Sequence, residues 1–387
     1  MNLILWPFQA YSAVFRAPES VKLIQENDPL AVIAEEAPRF SDAEAIAVLK
    51  DSYGFDATVG TLVSERDQNF RVRTASGEQY VLKIANAAEA SEVTDFQVQA
   101  LLHIAAVVAR EKIPIDSPEV ILTVDGESQI KLNSTTGQHV ARVVTFVKGI
   151  PMAERVASPQ LARNMGAYLA HLGVALRDFS HPGSQQSLLW DLQQALNLRG
   201  LVKYVNGDEV AQAVTDTLDE FESHAAPALG SLRAQVIHSD FNPDNVLIDA
   251  EDPDRVAGVI DFGDMLYAPL VVDVAIGASY LRAPDGDPLR LIAEFIAGYH
   301  SVQPLEHAET DILRELIQAR LCTSIAILDW RAAMRGADDP YLEKQVEGEA
   351  SAGSFLCRMR EIPRDSARQL FRQICASVDE SSHDRKG

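Results

Sequence analysis

Two short stretches of this sequence place oxygen-bearing side chains at spacings that suit phosphoryl transfer. The first is HSDFNPDN, residues 238–245, in which Asp240 and Asn245 share one polar loop. The second is the triplet Asp261-Phe262-Gly263, which directly follows an apolar run. Phosphoryl transfer needs a carboxylate that orients and deprotonates the attacking hydroxyl group, and oxygen ligands for the Mg²⁺ ion on the phosphates. One Asp and one Asn are sufficient protein ligands because Mg²⁺ keeps several of its water molecules.

The segments around these residues are predicted to be short strands that aim the polar side chains into one cleft. The apolar runs are residues 236–237, 246–248 and 256–260. A polar, turn-rich loop separates the first two runs, and an acidic turn at residues 249–255 separates the second from the third. One loop therefore supplies Asp240 and Asn245, and the partner strand supplies Asp261.

The pattern H-x-D-x4-N followed by D-F-G resembles the catalytic and metal loops of the kinase superfamily. The His-x-Asp form without arginine is similar to the aminoglycoside phosphotransferase and choline kinase branch. Further segments resemble the hydroxylysine kinase group of the aminoglycoside phosphotransferase family; they are APRF (37–40), SERDQNF (64–70), LWDL (189–192) and GVIDFGDM (258–265). The resemblance covers roughly residues 37–345 and implies an α+β, bilobal, protein-kinase-like fold. It places a small antiparallel β-sheet in the N-lobe and makes the C-lobe mainly helical.

The resemblance also implies roles for matching residues. Asp240 is implied as the general base, and Asn245 and Asp261 as the residues that hold Mg²⁺. His238 is implied to brace the catalytic loop. The candidates for binding the ammonium group of the substrate are Asn242, Asp244 and Asp264. An acidic pocket suits such a cation because charge-assisted hydrogen bonds are the stronger class.

The N-terminal half is predicted to hold the nucleotide. The predicted strands are residues 58–63, 70–74 and 80–84, followed after a helix by 120–124, 129–132 and 139–147. Lys83, on the third strand, is implied to bind phosphates, and an ordinary exposed strand lysine is the alternative. Residues 65–69 form a turn without glycine where kinases carry a glycine-rich loop, and Asn69 is expected either to cap this turn or to touch phosphate.

A helix over residues 93–108 carries Gln97 where the superfamily has a glutamate that pairs with the lysine. Gln97 is therefore expected to be a structural residue, with a hydrogen bond to Lys83 left open. By analogy with the fold, the backbone of Thr145, Phe146 and Val147 is predicted to meet the nucleotide base. Asp273 is the only charge in a largely apolar helix, so it is expected to brace backbone, with substrate contact as the alternative.

Four segments are predicted. Residues 1–38 are an N-terminal extension, 39–148 the N-lobe, 149–378 the helical C-lobe with both loops, and 379–387 a disordered polar tail. In the C-lobe, residues 187–192 are predicted to begin a helix, and other helices are predicted over 159–177, 209–221, 270–281, 289–299 and 310–333. No internal repeat is found.

The chain has 387 residues, of which 47% are hydrophobic, and a net charge of −22. This composition is typical of a globular protein, and the absence of a basic stripe argues against a nucleic-acid partner. The three cysteines lack metal-ligand spacing and indicate a reducing, cytoplasmic environment. Residues 3–15 are apolar but too short to cross a bilayer, so no membrane association is expected.

The sequence therefore predicts a small-molecule kinase that uses Mg²⁺ and ATP or GTP. Its expected acceptor is a small cationic amino alcohol or hydroxy amino acid, which the resemblance likens to 5-hydroxylysine. The alternatives are a homoserine, ethanolamine, choline or aminoglycoside kinase of the same family, or a catalytically inactive nucleotide-binding module. A protein kinase is disfavoured because the short segment after Gly263 leaves no room for a long activation loop. The sequence does not indicate an oligomeric state.

Overall fold

The structure is a computed structural model that describes residues 37–64, 66–135, 137–186, 188–335 and 351–384. The predicted N-terminal extension lies outside the described residues, apart from residues 37 and 38. The first described element is helix α1, Asp42–Tyr53. It begins with the capping box that the sequence predicts, in which Ser41 and Glu44 each accept a hydrogen bond from the other's backbone N–H.

An antiparallel sheet forms the N-terminal lobe, and its alternating apolar side chains pack against α1. Within the described residues, its strands are β1 Ala57–Leu62, β2 Gln68–Thr74, β3 Gln79–Ile84, β4 Val120–Ile121, β5 Ile130–Ser134 and β6 Gly137–Thr145. The strand order is β1-β2-β3-β6-β4, and β5 also pairs with β6. Phe70, Leu82 and Val143 are fully buried beneath Leu49 of α1. This small core holds β3, and with it Lys83, in a fixed position.

Helix α2, Ser91–Glu111, connects β3 to β4 and packs with the C-terminal lobe. Its buried residues Phe96 and Ile104 belong to the same hydrophobic core as the C-lobe helices. This helix therefore contributes to the interface between the two lobes.

The C-terminal lobe is mainly helical, as the sequence predicts. Its described helices are α3 Pro159–Leu176, α4 Asp208–Glu220, α5 Ala226–Leu229, α6 Leu270–Ser279, α7 Arg290–Val302, α8 His307–Thr310, α9 Leu313–Arg335 and α10 Arg364–Asp384. Residues 351–360 are also helical. The mainly antiparallel N-lobe and helical C-lobe confirm the predicted fold class.

Two small antiparallel sheets hold the two loops that carry Asp240 and Asp261. Their strands are β7 Ile150–Pro151, β8 Ala234–Ile237, β9 Val246–Ile248, β10 Val256–Val259 and β11 Leu266–Pro269. One sheet has the order β10-β9-β7, and β8 pairs with β11 in the other. The catalytic-loop segment lies between β8 and β9, and the Asp261 triplet lies between β10 and β11. Both loops are therefore anchored at each end by buried strands.

The connection between the lobes packs tightly on β10. A Cβ atom at Gly258 would lie 2.4 Å from Cγ1 of Val147, a distance that real Cβ contacts do not reach. Glycine is therefore required at this position, where the inter-lobe segment crosses the strand that leads to Asp261.

Two local predictions differ from the structure. The described residues of 187–192 do not begin an α-helix; a 3₁₀-helix starts at Leu192 instead and continues to Gly200. Asp191 caps this helix because its side chain accepts from the N–H of Gln193 at 2.9 Å, which favours a tight turn. The predicted disordered tail is also different, since α10 continues through residues 379–384.

No helix in the described part of the chain is long and apolar enough to cross a membrane.

Candidate active site

The catalytic-loop segment is anchored by a buried carboxylate beneath it. Asp273, near the start of α6, accepts from the backbone N–H of His238 at 3.0 Å and of Ser239 at 2.8 Å. Ser239 has a φ of 64°, a left-handed conformation that is unfavourable for a residue with a side chain. The two hydrogen bonds hold this turn in place. Asp273 therefore braces backbone, which is one of the two roles that its lone charge suggests.

His238 links the two loops through both of its ring nitrogens. Nε2 lies 3.2 Å from the carbonyl oxygen of Ile260, and Nδ1 accepts from the N–H of Asp240 at 3.2 Å. Because a carbonyl group only accepts, Nε2 carries the proton and the ring is neutral. Burial lowers the pKa of His238 to about 4, which agrees with a bracing role.

Asp240 projects from this loop with both carboxylate oxygens engaged. Oδ1 accepts from Nδ2 of Asn242 at 2.9 Å, and Oδ2 accepts from Nδ2 of Asn245 at 2.7 Å. Burial and, to a smaller extent, the charge of Asp264 raise the pKa of Asp240 to about 7, against the lowering effect of Arg320. A carboxyl group with a pKa near neutral is suited to accept a proton from a hydroxyl group.

Asp261 lies at the end of β10 and differs from Asp240 in its environment. Its φ is 62°, and its Oδ1 lies 3.3 Å from Nζ of Lys83 on β3. The Lys83 ammonium group lowers the pKa of Asp261 to about 2, against the opposing effect of burial. Asp261 is therefore ionised at neutral pH, which is the state required of a metal ligand.

Asn245 is oriented by Asp240. Its Nδ2 donates to both Oδ2 and the backbone oxygen of Asp240, at 2.7 and 3.0 Å. The amide oxygen of Asn245 is therefore the atom that faces away from the base. This amide oxygen and the ionised carboxylate of Asp261 are hard oxygen donors of the kind that Mg²⁺ prefers, although Asn245 does not line the cavity that Asp261 lines. Among the described residues there is no cluster of three or more His, Cys, Asp or Glu side chains suited to a metal ion.

Arg66, which lies between β1 and β2, contacts the C-lobe. Nη2 of Arg66 lies 2.5 Å from Oδ1 of Asp264, and both side chains are mostly buried. A cavity of about 60 Å³ remains between the lobes. The residues that line it are Ser64, Arg66, Asp67, Lys83, Glu89, Gln97, Asp240, Asp261, Gly263 and Asp264. The predicted base, one predicted metal ligand, the lysine predicted to bind phosphates and one substrate candidate are thus brought together.

Gln97 does not pair with Lys83. Its Oε1 accepts a short hydrogen bond from Arg142 on β6, and its Nε2 lies 3.5 Å from the carbonyl oxygen of Gly263. Lys83 pairs with Asp261 instead. A neutral amide can serve both partners because it carries a donor and an acceptor. Gln97 therefore connects the N-lobe sheet to the metal loop, and the suggested hydrogen bond to Lys83 is not formed.

The structure shows which backbone and side-chain groups the other predicted nucleotide contacts have available. The N–H of Thr145 donates to Glu119 at 2.9 Å and the N–H of Phe146 donates to Gln79 at 3.2 Å. Neither N–H is free to donate to a nucleotide base, which leaves the carbonyl groups of these two residues, and the predicted contacts of Thr145, Phe146 and Val147 stay predictions. Asn69 lies within β2 opposite Lys83, not at a turn tip. Its Oδ1 is buried and has no hydrogen-bond partner among the described residues, so it has an acceptor available for a ligand.

Two of the predicted substrate-binding residues, Asn242 and Asp244, do not line the cavity between the lobes as Asp264 does. Asn242 uses Oδ1 to accept from the N–H groups of Asp244 and Asn245, at 2.8 and 3.1 Å, while its Nδ2 donates to Asp240. Asn242 is therefore a structural clamp of the loop. Asp244 is exposed and does not line the cavity between the lobes.

Two charged residues of the site were missed from the sequence. Glu89, between β3 and α2, lines the cavity, and burial raises its pKa to about 7. Arg320, on α9, has a side chain that is 3% exposed, and its Nη2 lies 3.4 Å from Oδ1 of Asp240. The available signal for Arg320 was an arginine within the apolar stretch ARLCTSIAIL of a predicted helix. A charge on a buried helical face usually has a specific partner.

Comparisons with known proteins agree with this geometry. The family described as "Phosphotransferase enzyme family" matches residues 61–316. The hydroxylysine kinase of Danio rerio is 27% identical over 358 residues, which cover 88% of this chain and 99% of that protein. The homoserine kinase of Brucella anthropi is 29% identical over 272 residues, which cover 66% of this chain and 75% of that protein.

Solved structures show the same fold at low identity. An amicoumacin kinase in complex with AMP-PNP, Ca²⁺ and its ligand superposes with a TM-score of 0.62 at 15% identity, covering 84% of this chain and 95% of that one. A microcompartment-associated aminopropanol kinase superposes with a TM-score of 0.61 at 17% identity, covering 87% and 98% of the two chains.

Proposed function

This chain belongs to the phosphotransferase enzyme family, and we propose that its acceptor is the hydroxyl group of a small amino alcohol or hydroxy amino acid, as in 5-hydroxylysine. As a member of this family it is a small-molecule kinase, an enzyme that phosphorylates an alcohol group. The finer proposal assigns the donor, the base, the metal ligands and the class of acceptor.

The observation that carries the proposal is the contrast between two carboxylates in one cleft. Both Asp240 and Asp261 line the cavity between the lobes, where burial raises the pKa of Asp240 to about 7 and the Lys83 ammonium group lowers the pKa of Asp261 to about 2. Titratable groups whose environments separate their pKa values are suited to different steps of one reaction. We assign Asp240 as the general base and Asp261 as an ionised ligand.

In the proposed reaction, Asp240 orients the acceptor hydroxyl and accepts its proton. The hydroxyl oxygen forms a bond to the γ-phosphorus, and the bond from that phosphorus to the β–γ bridging oxygen breaks, releasing the nucleoside diphosphate. Lys83 binds phosphate oxygens, and Arg66 is a further cation on the turn above them. Asn245 and Asp261 would hold Mg²⁺, which supplies charge neutralisation on the phosphates when bound.

The donor is proposed to be ATP or GTP. This rests on the fold, on the position of Lys83, and on related structures that were determined with AMP-PNP, ADP or GDP. Asn69, with its buried and unpartnered Oδ1 beside Lys83, and the backbone of Val147 are the proposed further nucleotide contacts. Asp264 is the proposed site for the ammonium group of the acceptor, once Arg66 releases it.

A phosphotransfer screen tests the proposal. The purified protein is incubated with Mg²⁺, ATP or GTP, and each of 5-hydroxylysine, homoserine, ethanolamine, choline, 3-aminopropan-1-ol and an aminoglycoside, and the phosphorylated acceptor is quantified. We expect phosphorylated product with at least one of the two hydroxy amino acids, 5-hydroxylysine and homoserine. No product with any acceptor would contradict the proposed substrate class.

An inactive nucleotide-binding module is the second candidate. Gln97 in place of a glutamate and the glycine-free turn favour it. Thermal stabilisation by nucleotide and Mg²⁺ without any turnover would support the module. The retention of Asp240, Asn245 and Asp261 at the expected positions favours the kinase.

A further inference from the structure

Arg320 is a buried cation beside the proposed base whose hydrogen-bonding capacity is largely unused. Its Nη2 donates to the hydroxyl oxygen of Tyr280 at 3.0 Å and lies 3.4 Å from Oδ1 of Asp240. The buried Nε and Nη1 have no hydrogen-bond partner among the described residues. A guanidinium group has five N–H donors, and three of them belong to these two nitrogens.

The surroundings of Arg320 hold the guanidinium group in place without neutralising it. Its Cζ atom lies 4.9 Å from the ring centroid of Trp190 and 5.7 Å from that of Tyr280. Aromatic faces attract a cation but accept no conventional hydrogen bond from it. The side chain is therefore fixed in position while its Nε and Nη1 atoms are left without acceptors among the described residues.

The contact with Asp240 does not satisfy this charge. Its 3.4 Å separation is the longest of the hydrogen bonds to Asp240, whose oxygens already accept from Asn242 at 2.9 Å and Asn245 at 2.7 Å. A paired arginine and carboxylate usually form two short, parallel hydrogen bonds. Leaving buried donors unpaired is costly, so an arrangement of this kind indicates a missing partner.

Two residues that Arg320 contacts line cavities, although Arg320 itself lines neither of the two, and Asp240 lines the one between the lobes. Tyr280, which contacts Arg320, lines a cavity of about 590 Å³ that also borders Pro243 of the catalytic loop. A cavity of this volume accommodates a small ligand. Arg320 thus lies between a side chain of this cavity and the base that acts on the hydroxyl group.

We propose that Arg320 binds the carboxylate of the acceptor and thereby selects hydroxy amino acids over amino alcohols. This rests on the proposed function, and it narrows the acceptor to a molecule that carries a carboxylate, an amine and a hydroxyl. The carboxylate accepts from the unpartnered N–H groups, and the anchored acceptor presents its hydroxyl group to Asp240. Arg320 is thus a specificity-determining residue that an amino alcohol leaves unpaired.

The test compares each hydroxy amino acid with the same molecule lacking its carboxylate. The pairs are 5-hydroxylysine with 1,5-diaminopentan-2-ol, and homoserine with 3-aminopropan-1-ol. For the wild-type protein we expect kcat/KM to favour the acid by about 10- to 100-fold, the usual scale for a hydrogen bond to a charged group. In Arg320→Met this ratio should approach one. Because Arg320 also contacts Asp240, the variant loses rate with every acceptor, and the ratio cancels that common loss.

Three variants separate recognition from structural damage. Arg320→Lys keeps the charge but not the planar fork and should give an intermediate ratio. Tyr280→Phe removes only the hydroxyl that orients Nη2 and should lower the ratio slightly. Arg314→Met is the matched control, since Arg314 is a buried arginine on the same helix that pairs with Glu220. It should reduce the thermal stability and leave the ratio unchanged.

Binding of the same pairs, measured by calorimetry with the full chain, separates this inference from the proposed reaction. Preferential binding of the acids that Arg320→Met abolishes would support the inference even if no acceptor were phosphorylated. A wild-type protein that binds and phosphorylates both members of each pair equally would overturn it, whether or not the variants fold. The same acid preference in Arg320→Met as in the wild type would also overturn it.

Discussion

Asp240 and Asp261 are identical side chains in the same cleft, and their surroundings give them opposite properties. Asp240 faces the C-lobe, has a side chain that is 21% exposed, and has its pKa raised to about 7 chiefly by burial. Asp261 faces the N-lobe, is 52% exposed, and has its pKa lowered to about 2 chiefly by Lys83. The difference arises from which lobe supplies the neighbours.

The two sides of the site are therefore held by different kinds of interaction. The C-lobe side of the site is built from short hydrogen bonds within one lobe, so Asp240, the proposed base, is held rigidly and is partly desolvated. The N-lobe side is built from ion pairs between lobes, Lys83 with Asp261 and Arg66 with Asp264. Those pairs place cations where phosphates are proposed to bind, and they depend on how the lobes approach each other.

The largest effect is expected from removing the base. Asp240→Asn keeps the size of the side chain but cannot accept the hydroxyl proton, so kcat should fall by about 10² to 10⁴. The rate of acceptor phosphorylation measures this. Asp252→Asn, in the exposed turn between β9 and β10, is the matched control and should keep the wild-type rate. A variant of Asp240 with a near-normal rate would remove this residue from the role of base.

A smaller loss of rate is expected from a substitution on the N-lobe side of the site. Lys83→Met removes a preorganised cation and should lower kcat by about 10²-fold. It also removes the main cause of the low pKa of Asp261, so that pKa should rise. NMR titration of the Asp261 carboxyl carbon measures the second effect. An unchanged Asp261 pKa would show that the ion pair does not form in solution.

The brace beneath the catalytic loop affects stability more than chemistry. Asp273→Asn replaces one of two acceptors with a donor that faces a backbone N–H, which should cost about 1–3 kcal/mol of unfolding free energy. Urea unfolding monitored by fluorescence measures this. The same substitution at the exposed Asp252 serves again as the control. Equal stability of the Asp273 variant and the wild type would contradict the bracing role.

The smallest predicted change is a shift in pH dependence. Because the base must be deprotonated, kcat/KM should fall as the pH falls through about 7. The charged groups that act on Asp240 are Asp264 and Asp261, which raise its pKa, and Arg320, which lowers it. Asp264→Asn should therefore move the acidic limb to lower pH, and Arg320→Met should move it to higher pH. Limbs that move in the opposite directions would contradict this electrostatic account.

Much of the fold followed from local patterns in the sequence. The capping box at Ser41, the alternation that gives β2 and β3, and the periodic apolar faces of α2 and α3 all lie where they were predicted. The spacing of the catalytic and metal loops also predicted that Asp240 and Asp261 lie in one cleft. Such signals are local, because each depends on neighbours within one helix or strand pair.

The remaining contacts depend on tertiary structure. Gln97 was matched to a position on a helix, but its partner Arg142 comes from β6, which only the folded sheet brings near. The backbone of Thr145 and Phe146 is predicted to meet the nucleotide base, but their N–H groups donate to the backbone oxygens of Glu119 and Gln79, which only the folded sheet brings near. Arg320 lies 80 residues from Asp240 in the sequence. No local pattern encodes such a pairing, although a charge on an apolar helix face indicates that a partner exists.

The division of roles between the two carboxylates is tested most directly by Mg²⁺-dependent nucleotide binding. Calorimetry with a non-hydrolysable nucleotide is carried out on the wild-type protein, Asp240→Asn and Asp261→Asn, with and without Mg²⁺. We predict that Asp240→Asn keeps the enhancement by Mg²⁺, because the backbone oxygen at position 240 still accepts from Asn245, and that Asp261→Asn loses this enhancement. Retained enhancement in Asp261→Asn, or its loss in Asp240→Asn alone, would contradict the assignment of base and metal ligand.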